Sequence, residues 1–174
     1  EEDEVTATIQ GVITSADNNY SGLWYYEVEI KDLNTIIGVT ETKTNYSQAP
    51  GRLATSFGWA IGHNVFIKNG VETPMTKEVT VKVGDVVGVY LDYVNEKMNV
   101  TVNGNVIAYT FPFPTPSNTY YLAFGNYDPT KSTTVKVRFT PESISTVISA
   151  DYQKGWGTPR TRRTKKYTFY YQLQ

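Results

Sequence analysis

The sequence predicts an all-β fold, a sandwich of two antiparallel sheets, and three observations predict it. Apolar and polar residues alternate with period two from one end of the chain to the other. Asn-Gly and related turn signals separate the alternating runs. No stretch repeats apolar residues at i, i+3, i+4 and i+7 for more than about two turns, the pattern a packed helix needs.

Taken in order, Val5, Ala7 and Ile9 alternate with Thr6, Thr8 and Gln10, and Trp24, Tyr26, Val28 and Ile30 with Tyr25, Glu27, Glu29 and Lys31. Val79, Val81 and Val83 alternate with Thr80 and Lys82, and Val135, Val137 and Phe139 with Lys136 and Arg138. Successive side chains of a strand point to opposite faces, so each run turns an apolar face inward and a polar face to water. Asn69-Gly70 follows Val65–Lys68, and Asn103-Gly104 joins Met98–Val102 to Asn105–Tyr109. Asn-Gly readily takes the two positive φ angles of a type I′ turn, so a hairpin is predicted at the second site. Gly84-Asp85 and Asn95-Glu96 mark two further reversals, and Pro112, Pro114 and Pro116 read as a loop or an edge crossing. Residues 141–149 fit either one helical turn opened by Pro141-Glu142 or a segment lying flat on the sandwich through Ile144, Val147 and Ile148.

With 174 residues, 40% of them hydrophobic and 19% charged, the chain can bury a core of its own. It has no cysteine, which removes disulfides, thiolate nucleophiles and cysteine-type zinc sites and leaves the compartment open. No apolar run approaches the roughly 20 residues that span a bilayer. The opening Glu1-Glu2-Asp3-Glu4, without Met, reads as the start of a processed or excised fragment. The net charge of −1 conceals an asymmetry. Residues 158–174 hold five of the 16 bases and none of the 17 acids, which leaves 11 against 17, or −6, for residues 1–157. An acidic body disfavours nucleic acid as a partner. The composition changes after Trp156-Gly157, so the chain divides into a sandwich over 1–157 and a basic-aromatic tail or extra strand over 158–174.

The order of motifs resembles the SPRY family over about residues 5–157. Gly22-Leu23-Trp24-Tyr25-Tyr26-Glu27-Val28 is similar to its early "WYxEV" strand and Ile37-Gly38-Val39 to its short "xGV" strand. Phe57-Gly58-Trp59 stands where the family has a "SWG"-like core motif, with the Trp displaced by two. Gly84-Asp85-Val86-Val87-Gly88-Val89 with Leu91-Asp92 resembles "GDxIGVxLD", followed by the Asn103-Gly104 hairpin. Val137-Arg138-Phe139 and Gly155-Trp156 resemble the closing strand and the aromatic-rich end. The resemblance implies a bent, concanavalin-like jelly-roll sandwich with no cofactor, which binds short peptides or folded proteins on a shallow surface of edge loops.

Catalytic and metal readings are weaker. Glu27, Glu29 and Asp32 have a spacing compatible with a glycosidase carboxylate pair, but an alternating strand also places such residues on a solvated face. His63 is the only histidine, no Gly-x-Ser-x-Gly elbow is present, and Gly62-His63-Asn64 reads as a solvated turn. Asp85 and Asp92 fit turn caps better than calcium ligands. Trp24, Phe57 and Trp59 read as core, and the sequons at Asn19, Asn45 and Asn99 are compatible with secretion without arguing for it.

The loops are the better candidates. Residues 17–20, ending in Tyr20, and 43–52 carry aromatic, amide and guanidinium groups without core periodicity. Tyr and Arg supply contact area at modest ordering cost. Positions carried over from the resemblance put Tyr46, Pro50 and Arg52 on one side of a ligand site and Asn126 and Tyr127 on the other. In the tail, Arg160, Arg162, Arg163, Lys165 and Lys166 precede a strand-like Tyr- and Phe-rich end. This tail fits a final strand, or an arm for self-assembly on another subunit's sheet edge or an acidic surface. The reading is a non-catalytic module for a peptide or protein ligand. A structural or receptor-binding domain of a virion or cell-surface assembly is the alternative, and a glycan-binding sandwich a lesser one.

Overall fold

The structure, a computed structural model, describes residues 4–9, 12–19, 22–41, 49–52, 55–113, 120–138, 140–155 and 169–172. In chain order the strands are β1 (Glu4–Ile9), β2 (Val12–Asn19), β3 (Leu23–Ile30), β4 (Thr35–Thr40), β5 (Ser56–Ala60), β6 (Val65–Lys68) and β7 (Val71–Pro74). They continue with β8 (Val86–Asp92), β9 (Lys97–Val102), β10 (Asn105–Pro112), β11 (Tyr120–Asn126), β12 (Thr133–Arg138), β13 (Gln153–Lys154) and β14 (Phe169–Gln172). The first sheet runs β1-β12-β3-β8-β9-β10, with the short β13 parallel to β3, and the second runs β14-β2-β11-β4-β5-β6-β7. Every other ladder is antiparallel. The predicted sandwich is therefore the observed one.

The alternation decides which side chains meet between the sheets. Tyr26, Val28 and Ile30 of β3, Val87, Val89 and Leu91 of β8, and Met98 and Val100 of β9 are buried from the first sheet. Ile37, Val39, Phe57, Trp59, Leu122 and Phe124 join them in one core from the second. Phe111 of β10 ties the two sheets through rings, stacked on Phe57 at 5.9 Å and edge-on to Phe66 at 5.7 Å. The Asn-Gly sites behave as their chemistry requires. Asn69 and Gly70 have φ of 50° and 80°, Asn103 and Gly104 of 50° and 83°, and both pairs join adjacent antiparallel strands. Asp92 caps its turn by accepting the N–H of Val94 and of Asn95, and Asp85 accepts the N–H of Lys82.

Two expectations about local structure change. Val79 to Val83, expected as a strand, have no ladder partner among the described residues. Val81 still enters the core while Thr80 and Lys82 face out, but Val83 is 61% exposed where the chain turns at Gly84. Residues 141–149 combine both readings. Pro141–Ser143 forms one 3-10 turn and Ile144 is buried, whereas Val147 points to solvent.

Glu27 is the larger correction, because it is buried rather than on a solvated face. The segment carrying Thr146 and Tyr152 lies over the outer face of the first sheet as a strap, then joins the sheet as β13 beside β3, where the Gly155 N–H donates to the Tyr25 carbonyl at 2.7 Å. Beneath it the Glu27 carboxylate accepts hydrogen bonds from the Tyr25 hydroxyl at 2.6 Å and from the Thr146 hydroxyl. Arg138 reaches Glu27 at 3.4 Å and Glu29 at 2.6 Å, and Lys31 and Lys136 also pair with Glu29. Burial, reinforced by the bond to Glu27, pushes the Tyr25 phenol up, so it stays a donor to the carboxylate. The hydrogen bond from Lys31, with help from Lys136 and Arg138, holds the Glu29 carboxyl below its usual range against some desolvation.

Candidate functional site

The outer face of the second sheet is built to carry a loop. Ile36, Ala60 and Ile67 form a small apolar patch there, packed against Ala49. Glycine at position 58 leaves the room: a Cβ at Gly58 would stand 2.6 Å from the Pro50 carbonyl oxygen and 2.4 Å from Ile36. Gly51, at φ 93°, donates its N–H to Ser56 Oγ at 2.8 Å, and its carbonyl accepts the N–H of Gly70 at 2.7 Å. These contacts pin residues 49–52 flat on β4, β5 and β6. Pro50 is thus buried beneath the surface, not exposed in the loop as the sequence suggests.

From that anchor Arg52 emerges beside β7. Its guanidinium donates to Glu72 Oε2 at 2.9 Å, and Tyr127, just past β11, donates its hydroxyl to Glu72 Oε1 at 2.9 Å. His63, in the turn between β5 and β6, lies against the Tyr127 ring with centroids 3.7 Å apart and planes 21° from parallel. Arg52 Cζ is 5.5 Å from the same ring's centre, within cation–π range. Tyr127 is fixed from below, since its N–H donates to the Asn34 carbonyl and the Asp128 N–H donates to Asn34 Oδ1. Asn126 is buried, and its amide donates to the Lys131 carbonyl and to Thr133 Oγ1.

The electrostatics match the geometry. Partial burial alone would raise the Glu72 carboxyl, but the bonds from Tyr127 and Arg52 outweigh it and hold the group below its usual range. The Tyr127 phenol is raised, first by its bond to Glu72 and then by burial, so it remains a donor. The Arg52 and Glu72 side chains are 31% and 36% exposed, where an ion pair contributes only about 0–1 kcal/mol. The cluster therefore fixes the positions of its groups more than it stabilises the fold. It brings a guanidinium, an imidazole and an aromatic ring together on one face.

Of the residues expected at a ligand site, Arg52 and Tyr127 come together, Pro50 supports one and Asn126 lies beneath the other. Tyr20, Tyr46, Arg160, Arg162, Arg163, Lys165 and Lys166 lie outside the described residues. The end of the tail forms β14 on β2 of the same chain. Glu72 has no signal of its own in the sequence, and His63, read there as a solvated turn residue, stacks on Tyr127. The Asn69-Gly70 turn held a clue, because a two-residue hairpin sets Glu72 across from Ile67. Among the described residues no group of three His, Asp or Glu side chains is placed to hold a metal ion, and no helix is long and apolar enough to cross a membrane.

The SPRY domain model matches residues 23–142. The fold is similar to that of the SPRY domain of human HERC1, at TM-score 0.59 and 17% identity over 79% of this chain and 89% of that one. It is also similar to the PSpry domain of TRIM65, at TM-score 0.58 and 16% identity over 74% of this chain and 70% of that one. A third, titled as a human SPRY domain, gives TM-score 0.54 and 15% identity over 79% and 92%. No curated protein matches the sequence. The chain belongs to the SPRY domain family, whose members generally serve as protein–protein interaction modules. The comparisons lend no support to the surface-assembly or glycan alternatives.

Proposed function

We propose that this domain is a non-catalytic module that binds a short peptide or protein surface on the face carrying Arg52, His63, Glu72 and Tyr127. The observation that carries the reading is the convergence of Arg52 and Tyr127, which lie 20 and 55 residues from Glu72, on its one carboxylate. Both belong to loops, and both are side-chain types that dominate binding hot spots. A preformed arrangement reduces the ordering cost of binding. The carboxylates that would have to act in a glycosidase are engaged elsewhere, Glu27 under the strap and Glu29 with three cations.

Panning a phage-displayed peptide library on the immobilised domain supplies ligands for the test. Arg52→Ala and Tyr127→Ala should each weaken a selected peptide by about 1–4 kcal/mol, as hot-spot truncations do, with little change in melting temperature for Arg52→Ala and a modest fall for Tyr127→Ala, whose ring packs against the Ile36–Ile67 patch. Selected peptides that bind both variants as tightly as the wild type would move the site elsewhere.

A further inference from the structure

The carboxylate that joins Arg52 to Tyr127 comes from an edge strand. β7 ends its sheet, pairs with β6 alone among the described residues, and is exposed at all four positions. Its register sets Glu72 across from Ile67, on the face where residues 49–52 lie. Glu72 accepts the guanidinium on Oε2 and the phenol hydroxyl on Oε1, both at 2.9 Å. Two side chains from separate loops thus engage both oxygens of one carboxylate.

The donors are positioned by contacts that do not involve Glu72. The Arg52 N–H donates to the Ala49 carbonyl at 3.1 Å, and Gly51 before it is tied to Ser56 and Gly70. The Tyr127 N–H donates to the Asn34 carbonyl at 2.8 Å, and its ring packs against His63 and the Ile36–Ile67 patch. That ring, 5.5 Å from Arg52 Cζ, is a second contact for the guanidinium. Glu72 instead reaches the donors on a flexible side chain, so its carboxylate can rotate away while they stay in place. An exposed ion pair resists such separation by no more than about fivefold.

The chemistry of the subsite is defined by what already sits in it. A guanidinium and a hydroxyl, each donating to a different oxygen, match the two-oxygen acceptor of a carboxylate. Partial burial works against the charge on Glu72, yet the bonds from Tyr127 and Arg52 overcome it, so the ionised form is the one selected.

We propose that Glu72 stands in for a ligand: an Asp or Glu side chain of the bound peptide replaces it on Arg52 and Tyr127, and Glu72 turns out to solvent. The inference rests on the Arg52–Tyr127 face being the binding surface, and adds to it an acidic class of ligand and an internal competitor.

The probes are the blocked peptides acetyl-Ala-Glu-Ala-amide and acetyl-Ala-Gln-Ala-amide, titrated to tens of millimolar into isotope-labelled wild-type, Glu72→Ala and Asp128→Asn domains. In the wild type the glutamate peptide should move the Arg52 and Tyr127 side-chain signals and shift the Glu72 carboxyl carbon toward that of a solvated glutamate. Glu72→Ala should bind the glutamate peptide about two- to tenfold more tightly than wild type, and the glutamine peptide no better. Asp128 follows Tyr127 and pairs with Lys131, so Asp128→Asn removes the same charge without freeing the donors. Its gain should stay below about twofold, because charge beside the donors is screened. The proposal is overturned by equal glutamate-peptide affinity in wild type and Glu72→Ala, by a matching gain in Asp128→Asn or with the glutamine peptide, or by a Glu72 carboxyl carbon unmoved at saturation. Library-selected peptides separate this inference from the reading beneath it. Peptides that need Arg52 and Tyr127 but gain nothing in Glu72→Ala would overturn the displacement and leave the binding face standing. Peptides indifferent to Arg52→Ala and Tyr127→Ala would remove the face and this inference with it.

Discussion

Replacing Glu27 by Gln separates a structural clasp from a catalytic carboxylate. The amide oxygen of Gln can still accept the Tyr25 and Thr146 hydroxyls that Glu27 Oε2 accepts now. Its nitrogen then takes the place of Oε1 and sets a donor against the Arg138 guanidinium, 3.4 Å away. What is lost is the charge assistance of three hydrogen bonds at a residue only 1% exposed. Hydrogen bonds to charged groups contribute about 1.5–3 kcal/mol each and neutral ones about 0.5–1.5, so losing one and weakening two predicts a net loss of about 3–6 kcal/mol. For a domain of this size each kcal/mol lowers the melting temperature by about 2–4 °C, which predicts a fall of about 6–24 °C in a thermal melt. A double-mutant cycle with Arg138→Met should return a coupling of about 0.5–3 kcal/mol, as contacting charged groups do. Exchange of the Gly155 amide should quicken, because the strap rests on this clasp. A Glu27→Gln variant that melts with the wild type and keeps Gly155 protected would refute the reasoning. Hydrolysis of any glycan that Glu27→Gln abolishes would restore the paired-carboxylate reading.

Gly58→Ala should destabilise the domain by about 1–3 kcal/mol through overpacking against Pro50 and Ile36, and should also weaken selected peptides because Arg52 is carried by the displaced loop; unchanged melting and binding would show that the loop does not depend on this contact. The Glu72 carboxyl is held below the usual 4.5, so its contribution is complete above that value and is lost as pH falls through the lowered one. The side-chain carboxyl carbon shift of Glu72 should accordingly be that of the ionised group at pH 5 and change only in stronger acid, whereas protonation of Glu72 already above pH 5 would contradict the assignment. Deleting residues 158–174 removes the ladder that β14 makes with β2 and should lower the melting temperature without changing the solution mass; a fall in mass would instead favour self-assembly through the tail.

The parts of the fold that local chemistry controls were legible in the sequence. The Asn-Gly turns, the alternating strands and the order of SPRY-like motifs each depend on neighbours within a few residues. The strap was not legible, because Glu27 looks like any outward residue of an alternating strand and its burial depends on Arg138 and Thr146, 111 and 119 residues away. Val79 to Val83 have the pattern of a strand, but a pattern states which side chains face inward and not whether a partner edge lies within reach. The candidate site was half legible. Arg52 and Tyr127 stood out as loop residues of interface type, whereas Glu72, in a strand exposed along its whole length, gains its meaning only when hairpin register and loop packing bring both onto it.

The most direct test of the binding face is to map a library-selected peptide on the labelled domain by amide and side-chain shifts. The account predicts that the largest changes fall on Arg52, His63, Glu72 and Tyr127, and that Tyr127→Ala removes them while leaving the spectrum of the core intact. Changes confined to β10 or to residues 158–174, with the four side chains unmoved at saturation, would contradict it.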